Sequence, residues 1–186
     1  GIVASVVGRD SSNWIKTITI DRGSDDGIRP GLAVVDGNAV VGQTTSVTED
    51  SAKVLLLTDN ASAIDAIVQS SRASGIAEGG PEDGMLRLRY TEKLEQFQVH
   101  PGDRVIASGI DGVFPKGALI GVVHHVDAAV PGLFQHIEVR PSADLYRLEN
   151  VLVIIPEPPT SGAAAKNATL LQAKPGTDHK SQEPGN

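Results

Sequence analysis

Apolar residues in this chain come in short runs, many alternating with polar ones, and glycine-rich turns cut the runs apart. Ile18 and Ile20 alternate with Thr17 and Thr19 inside residues 14–20. Leu86, Leu88 and Tyr90 alternate with Arg87 and Arg89 inside residues 85–90. A period of two puts one apolar face on a core and marks half-buried strands. The same reading predicts strands at residues 3–7, 32–35, 39–47, 53–57, 64–68, 105–107, 118–126, 134–139 and 151–155. The turn cluster at residues 8–13 ends the first strand, and Asp36-Gly37 between two apolar runs is a strong hairpin signal. Residues 70–74 read as a polar joint. Residues 142–145, opening on Ser142 as a cap, read as one short helix. About a dozen strands with turns every ~8–12 residues predict a barrel or sandwich.

The pattern also repeats. Ile28-Arg29-Pro30-Gly31-Leu32-Ala33-Val34 matches Val99-His100-Pro101-Gly102-Asp103-Arg104-Val105, 71 residues later. Val40-Val41-Gly42 with Val47 matches Leu119-Ile120-Gly121 with Val126, 79 residues later, so the second copy carries a longer loop at residues 108–117. Two copies mean duplicated modules and not a solenoid. The expected fold is therefore all-β: two small, similar antiparallel β-barrels, residues 1–72 and 73–156, with the joint near Arg72. Residues 151–155 either close the second barrel or return to complete the first. The tail, residues 157–186, has no aromatic, Val or Ile, and is expected to be disordered.

Composition narrows the function. The net charge is −7 and aromatics are 3% of the chain, against the basic stripes and stacking rings that nucleic-acid binding needs. With no cysteine there are no disulfides, no thiol chemistry and no sulfur metal ligands. The apolar runs fall far below the ~20 residues that span a bilayer. The chain opens on Gly1 in place of methionine and shows no signal peptide, the pattern expected of a piece of a longer protein.

Candidate chemistry is sparse. Ser108, with His100, His124, His125 or His136 and with Asp103 or Asp111, supplies the residue types of a hydrolase triad. It lies in A-S-G-I-D-G, however, and not in G-x-S-x-G. His124 and His125 on one strand point to opposite faces, so the expectation is one partly buried and one solvated imidazole, not a chelating pair. Asp21, Asp25 and Asp26 before Gly27 miss the spacing of a calcium loop, and Glu92, Lys93 and Glu95 read as linker charges. Phe114, in the glycine-rich loop before Pro115, either tucks beneath its own barrel or faces a partner. No cofactor or metal site is expected.

The motifs in their combined order resemble the rod shape-determining protein MreC family. They are Asn13-Trp14, Ile18-Thr19-Ile20-Asp21-Arg22-Gly23-Ser24, Gly27-Ile28, Val41-Gly42 and Leu55-Leu56-Leu57-Thr58-Asp59. Gly102-Asp103-Arg104-Val105-Ile106-Ala107-Ser108-Gly109, Phe114-Pro115-Lys116-Gly117 and Ile120-Gly121 complete the set. The resemblance covers residues 1 to about 156. It implies that Trp14, Gly23, Gly27, Gly42, Asp59, Gly102, Asp103, Ser108, Gly109, Pro115, Gly117 and Gly121 are structural, and leaves Phe114 as the candidate partner contact. It further implies the extracytoplasmic, periplasmic part of a single-pass membrane protein, with two barrels that resemble trypsin-like halves without a triad. Such a protein is non-enzymatic. It organises the cell-wall elongation machinery by binding a class B penicillin-binding transpeptidase and the membrane protein MreD, and it self-associates. Readings from other classes are a serine hydrolase on a double barrel and a peptidoglycan-binding module.

Overall fold

In the computed structural model, the described residues are 1–12, 15–80 and 84–157. Twelve strands follow one another: β1 (Ile2–Ser11), β2 (Lys16–Ile20), β3 (Ala33–Asp36), β4 (Ala39–Val47), β5 (Ala52–Leu56) and β6 (Ala63–Val68). They continue as β7 (Ser74–Gly79), β8 (Leu86–Arg89), β9 (Arg104–Ala107), β10 (Leu119–Asp127), β11 (His136–Pro141) and β12 (Asn150–Val153). The strand order β4-β3-β12-β1-β2-β5 closes on itself through the β4–β5 pairing. The order β10-β9-β6-β7-β8-β11 closes through β10–β11. The all-β, double-barrel expectation therefore holds, as two closed six-stranded rings. Among the described residues one strand pairing joins them, the parallel bridge Leu119↔Ala39, beside a bond from the Leu119 amide to the Asn38 carbonyl.

Alternation explains the rings. In β2 Ile18 and Ile20 are fully buried, in β8 Leu86 and Leu88 are buried between exposed Arg87 and Arg89, and in β6 Ile64, Ala66 and Val68 point inward. Among the largest fully buried side chains all are Ile, Leu or Val, each contributing roughly 1.5–3 kcal/mol over exposure. The hairpin between β3 and β4 turns at Gly37-Asn38. Only Gly37 has positive φ (58°), the pattern of a type II′ turn, whose twist matches the flanking strands.

The pairing departs from the expected division at residue 72. β6, expected in the first copy, is hydrogen-bonded to β7 and β9 and belongs to the second ring. β12 lies between β1 and β3 in the first ring. The two strands hold equivalent places, so the second barrel is contiguous while the first draws one wall from the end of the chain. β7 lay outside the expected strands, because Ser-Gly-Ile-Ala-Glu-Gly has little strand character. Its glycines are needed for close approach: a Cβ at Gly79 would sit 2.3 Å from the Asp59 carbonyl oxygen. β1 does not stop at residue 7; a register shift between Val6 and Gly8 carries it on to pair with β2.

No helix forms at residues 142–145. The stretch is a bent crossover from β11 to β12, anchored by buried Ala143, Leu145 and Leu148. Its carbonyls are met from outside: the Arg9 guanidinium donates to the Leu145 and Leu148 oxygens, a substitute for helical bonding. Among the described residues no helix is long and apolar enough to cross a membrane.

Candidate interaction site

The motif residues turn out to build the same frame twice. Gly31 and Gly102 hold φ of 90° and 93°, and each donates its amide to the opposite strand, to Thr44 and Val123, at 2.8 Å. Gly42 in β4 and Gly121 in β10 let the next strand pass close. A Cβ there would lie 1.9 Å from the Leu55 carbonyl oxygen and 2.2 Å from that of Arg140. Gly23 presses likewise against Thr48, while Gly27, Gly109 and Gly117 sit in left-handed turns. Asp59, 4% exposed, accepts from the Lys16 amide at 2.7 Å and the Ala61 amide at 2.8 Å, tying the link between the barrels to β2. Asp103 accepts from the His100 amide at 2.8 Å. Trp14 lies outside the described residues.

The triad residues are not brought together. The Ser108 hydroxyl accepts from the Ile110 amide at 3.2 Å, and Asp111 accepts from the Val113 and Phe114 amides, all within their own loop. That loop sits at the Leu119 end of β10. His124 lies five residues further along, about 17 Å at ~3.4 Å per residue. His125, His136 and His100 gather at that far end, where His136 faces Asp127 and the turn after His100 bonds Val123. His124 and His125 are both exposed, against the expectation of one partly buried imidazole. A bulge between Val123 and His125 resets the alternation, and His124 Nδ1 lies 3.3 Å from an Arg140 guanidinium nitrogen. Asp21 and Asp26 serve the backbone, accepting from the Ser5 and Gly23 amides. Among the described residues no cluster of three or more His, Asp or Glu is placed to hold a metal.

Phe114 is a core residue, 5% exposed, tucked beneath its own barrel. Pro115 follows it in the turn whose carbonyl accepts from Ala118, and the glycines around them let the loop fold back over the barrel end. The apolar side chain this loop offers to solvent is Ile110, 82% exposed. Tyr90 also departs from expectation. Its φ of 64° ends the alternation of β8, and the ring, half exposed, packs edge-on against Phe134 at 5.7 Å. Leu133 beside it is 79% exposed. The signal for this patch was the uncharged run Ala128-Ala129-Val130-Pro131-Gly132-Leu133 leading into Phe134, the first residue of the strand predicted at 134–139. Between the barrels runs a cleft of about 480 Å³, with Arg9 and Lys16 on the first barrel, Arg140 on the second, and Tyr146 on the crossover. The surface thus offers a cleft, an apolar loop tip and an aromatic patch. Exposed apolar patches and clefts of this kind are features that interaction surfaces use.

The family model described as rod shape-determining protein MreC, barrel core, matches residues 6–155. The cell shape-determining protein MreC of Listeria monocytogenes is 36% identical over 154 residues, 81% of this chain and 52% of that protein. That of Bacillus subtilis is 32% identical over 168 residues, 86% of this chain and 58% of that protein. The chain thus spans little more than half the length of these relatives. The crystal structure of MreC from Pseudomonas aeruginosa superposes with a TM-score of 0.77 at 30% identity, covering 83% of this chain and 98% of that one. MreC in a complex between penicillin-binding protein PBP2 and MreC from Helicobacter pylori shares the fold, with a TM-score of 0.62 at 14% identity over 80% of this chain and 94% of that one.

Proposed function

Because the chain belongs to the MreC family of rod shape-determining proteins, we propose that it is a non-enzymatic scaffold of the bacterial cell-wall elongation machinery. In this reading it works on the extracytoplasmic face of the cytoplasmic membrane. The rest of the protein supplies a single-pass anchor, and the barrels bind a class B penicillin-binding transpeptidase. MreD and further copies of the protein are the other partners of the reading. The observation that carries it is the match of the whole double barrel, residues 6–155, to the barrel core of a family whose members determine cell shape. The separation of Ser108 from every barrel histidine supports a binding role over hydrolysis.

An anchor raises the local concentration of the barrels near membrane partners, so modest contacts suffice for assembly. The test is a titration of this chain against the extracytoplasmic region of a class B penicillin-binding protein from the same organism. Saturable binding that Ser108→Ala leaves unchanged is expected. No binding, together with labelling by a fluorophosphonate probe that Ser108→Ala abolishes, overturns the scaffold in favour of a serine hydrolase.

A further inference from the structure

β9 and β10 stop pairing at Arg104↔Val122, yet β10 continues with β11 as far as Asp127↔His136. A two-stranded ribbon therefore stands beyond the barrel wall, and among the described residues no strand pairs with the edge of β10 away from β11 between His124 and Asp127. The cause is the Pro101-Gly102 turn. Gly102, at φ 93°, gives its amide to Val123, and Asp103 folds back on His100. On the far side of that turn the chain diverges from β10. The divergence opens a wedge of about 360 Å³, with Val99 and His100 on one wall, Val126 and Ala128 on the other, and Lys93 and Leu94 at the rim.

The first barrel shows how the same architecture is covered. There the short 3-10 turn Ser24–Asp26 docks on the end of the β4–β5 ribbon, its Ser24 and Asp25 amides donating to the Thr48 and Glu49 carbonyls. The corresponding turn of the second barrel, Glu95–Phe97, is held elsewhere. The Gln135 side-chain amide donates to the Phe97 carbonyl at 3.1 Å and to that of Glu92 at 3.0 Å. The turn is thus tied to Gln135, just before β11; Glu95 of the turn, Gln98 and Gln135 line the wedge, and among the described residues the edge of β10 beside it carries no strand.

We propose that this wedge is a strand-addition site, where an extended segment of another protein pairs main chain to main chain with β10 between residues 124 and 128. A strand edge presents amides and carbonyls at a fixed spacing, and only another polypeptide backbone meets them in register; a lipid or a glycan does not. Half-buried Val126 and exposed Ala128, with buried Val99 behind them, favour apolar residues at alternate positions of the segment, and Lys93, Glu95 and His100 around them meet the polar positions between. The bulge between Val123 and His125 keeps the open edge short. It therefore suits a few residues of a partner and not the continuous stacking of copies.

The test uses the whole chain as bait for a phage-displayed library of random peptides roughly ten residues long. Enriched peptides with alternating apolar residues are expected. Synthesised, they should slow hydrogen exchange at the amides of residues 124–128 by about tenfold or more and bind about tenfold more weakly to Ala128→Trp, whose indole fills the wedge. Ala128 is exposed, so this variant keeps its fold, which its thermal melt checks; Ile110→Asp, at the opposite end of the barrel, should bind as wild type. Failure to enrich any peptide overturns the proposal, as do peptides that leave exchange at 124–128 unchanged. Protection of the same amides that grows with the concentration of the chain alone also overturns it, because a second copy then holds the edge.

Discussion

At the scale of single residues, two kinds of glycine separate by what surrounds them. Gly42 and Gly121 have neighbours: an added Cβ would lie 1.9 Å or 2.2 Å from a backbone carbonyl oxygen that a strand ladder holds in place. Gly102 has open space, and only its φ of 93° resists a side chain. Gly121→Ala should therefore cost at least the ~1–3 kcal/mol of overpacking, and Gly102→Ala only the ~1–2 kcal/mol of a left-handed L-residue. Urea unfolding of the two variants checks the order, and a larger loss at Gly102 would refute it. Asp59 is a third case. Both of its oxygens accept backbone amides, so Asp59→Ala removes the side-chain acceptor of the Lys16 and Ala61 amides and the tie between the crossover and β2. An expected loss of about 2–3 kcal/mol is read in the same urea experiment.

At the scale of elements, what the sequence made legible was local and what it hid was pairing. Alternation exposed β2 and β8, and the repeated Pro-Gly and aliphatic-Gly pairs exposed the duplication, because each is written in consecutive residues. Nothing local tells β6 that its partners are β7 and β9, or tells β12 that it sits between β1 and β3. Tyr90 and the bulge at His125 misled for a related reason: one left-handed residue or one extra residue ends a period that the flanking pattern continues on paper. Phe114 shows the limit for sites, since a loop aromatic reads alike whether it fills a core or meets a partner. The swapped strand carries its own prediction. Ending the chain after residue 149 removes the wall between β1 and β3 but no strand of the second ring. Hydrogen exchange should then quicken most in β1 and β3, which lose a hydrogen-bonded neighbour, and less in β6, β7 and β9, which keep theirs. A loss no greater in β1 and β3 than in the second ring would refute this.

For the whole molecule the question is whether two closed rings behave as two domains or as one. A single strand bridge joins them directly, which by itself argues for independence. Against that stand the two crossovers. Residues 57–62 bring buried Leu57, Thr58 and Asp59 between the barrels, and residues 142–149 bring Ala143, Leu145 and Leu148, with Arg9 of the first barrel bonded to the second crossover. Gly1–Ile155 accordingly forms one compact unit. Buried apolar crossovers cannot be exposed without loosening both rings, so the intact chain should unfold in one calorimetric transition, its van't Hoff and calorimetric enthalpies agreeing. Leu148→Ala should lower that single transition by roughly 2–5 kcal/mol without splitting it. Two resolved transitions in the wild type would mean that the crossovers are only linkers, and that the cleft they roof changes shape as the barrels move. A single transition makes the cleft and the open edge of β10 parts of one cooperative unit, so that a partner bound at either stabilises both barrels together.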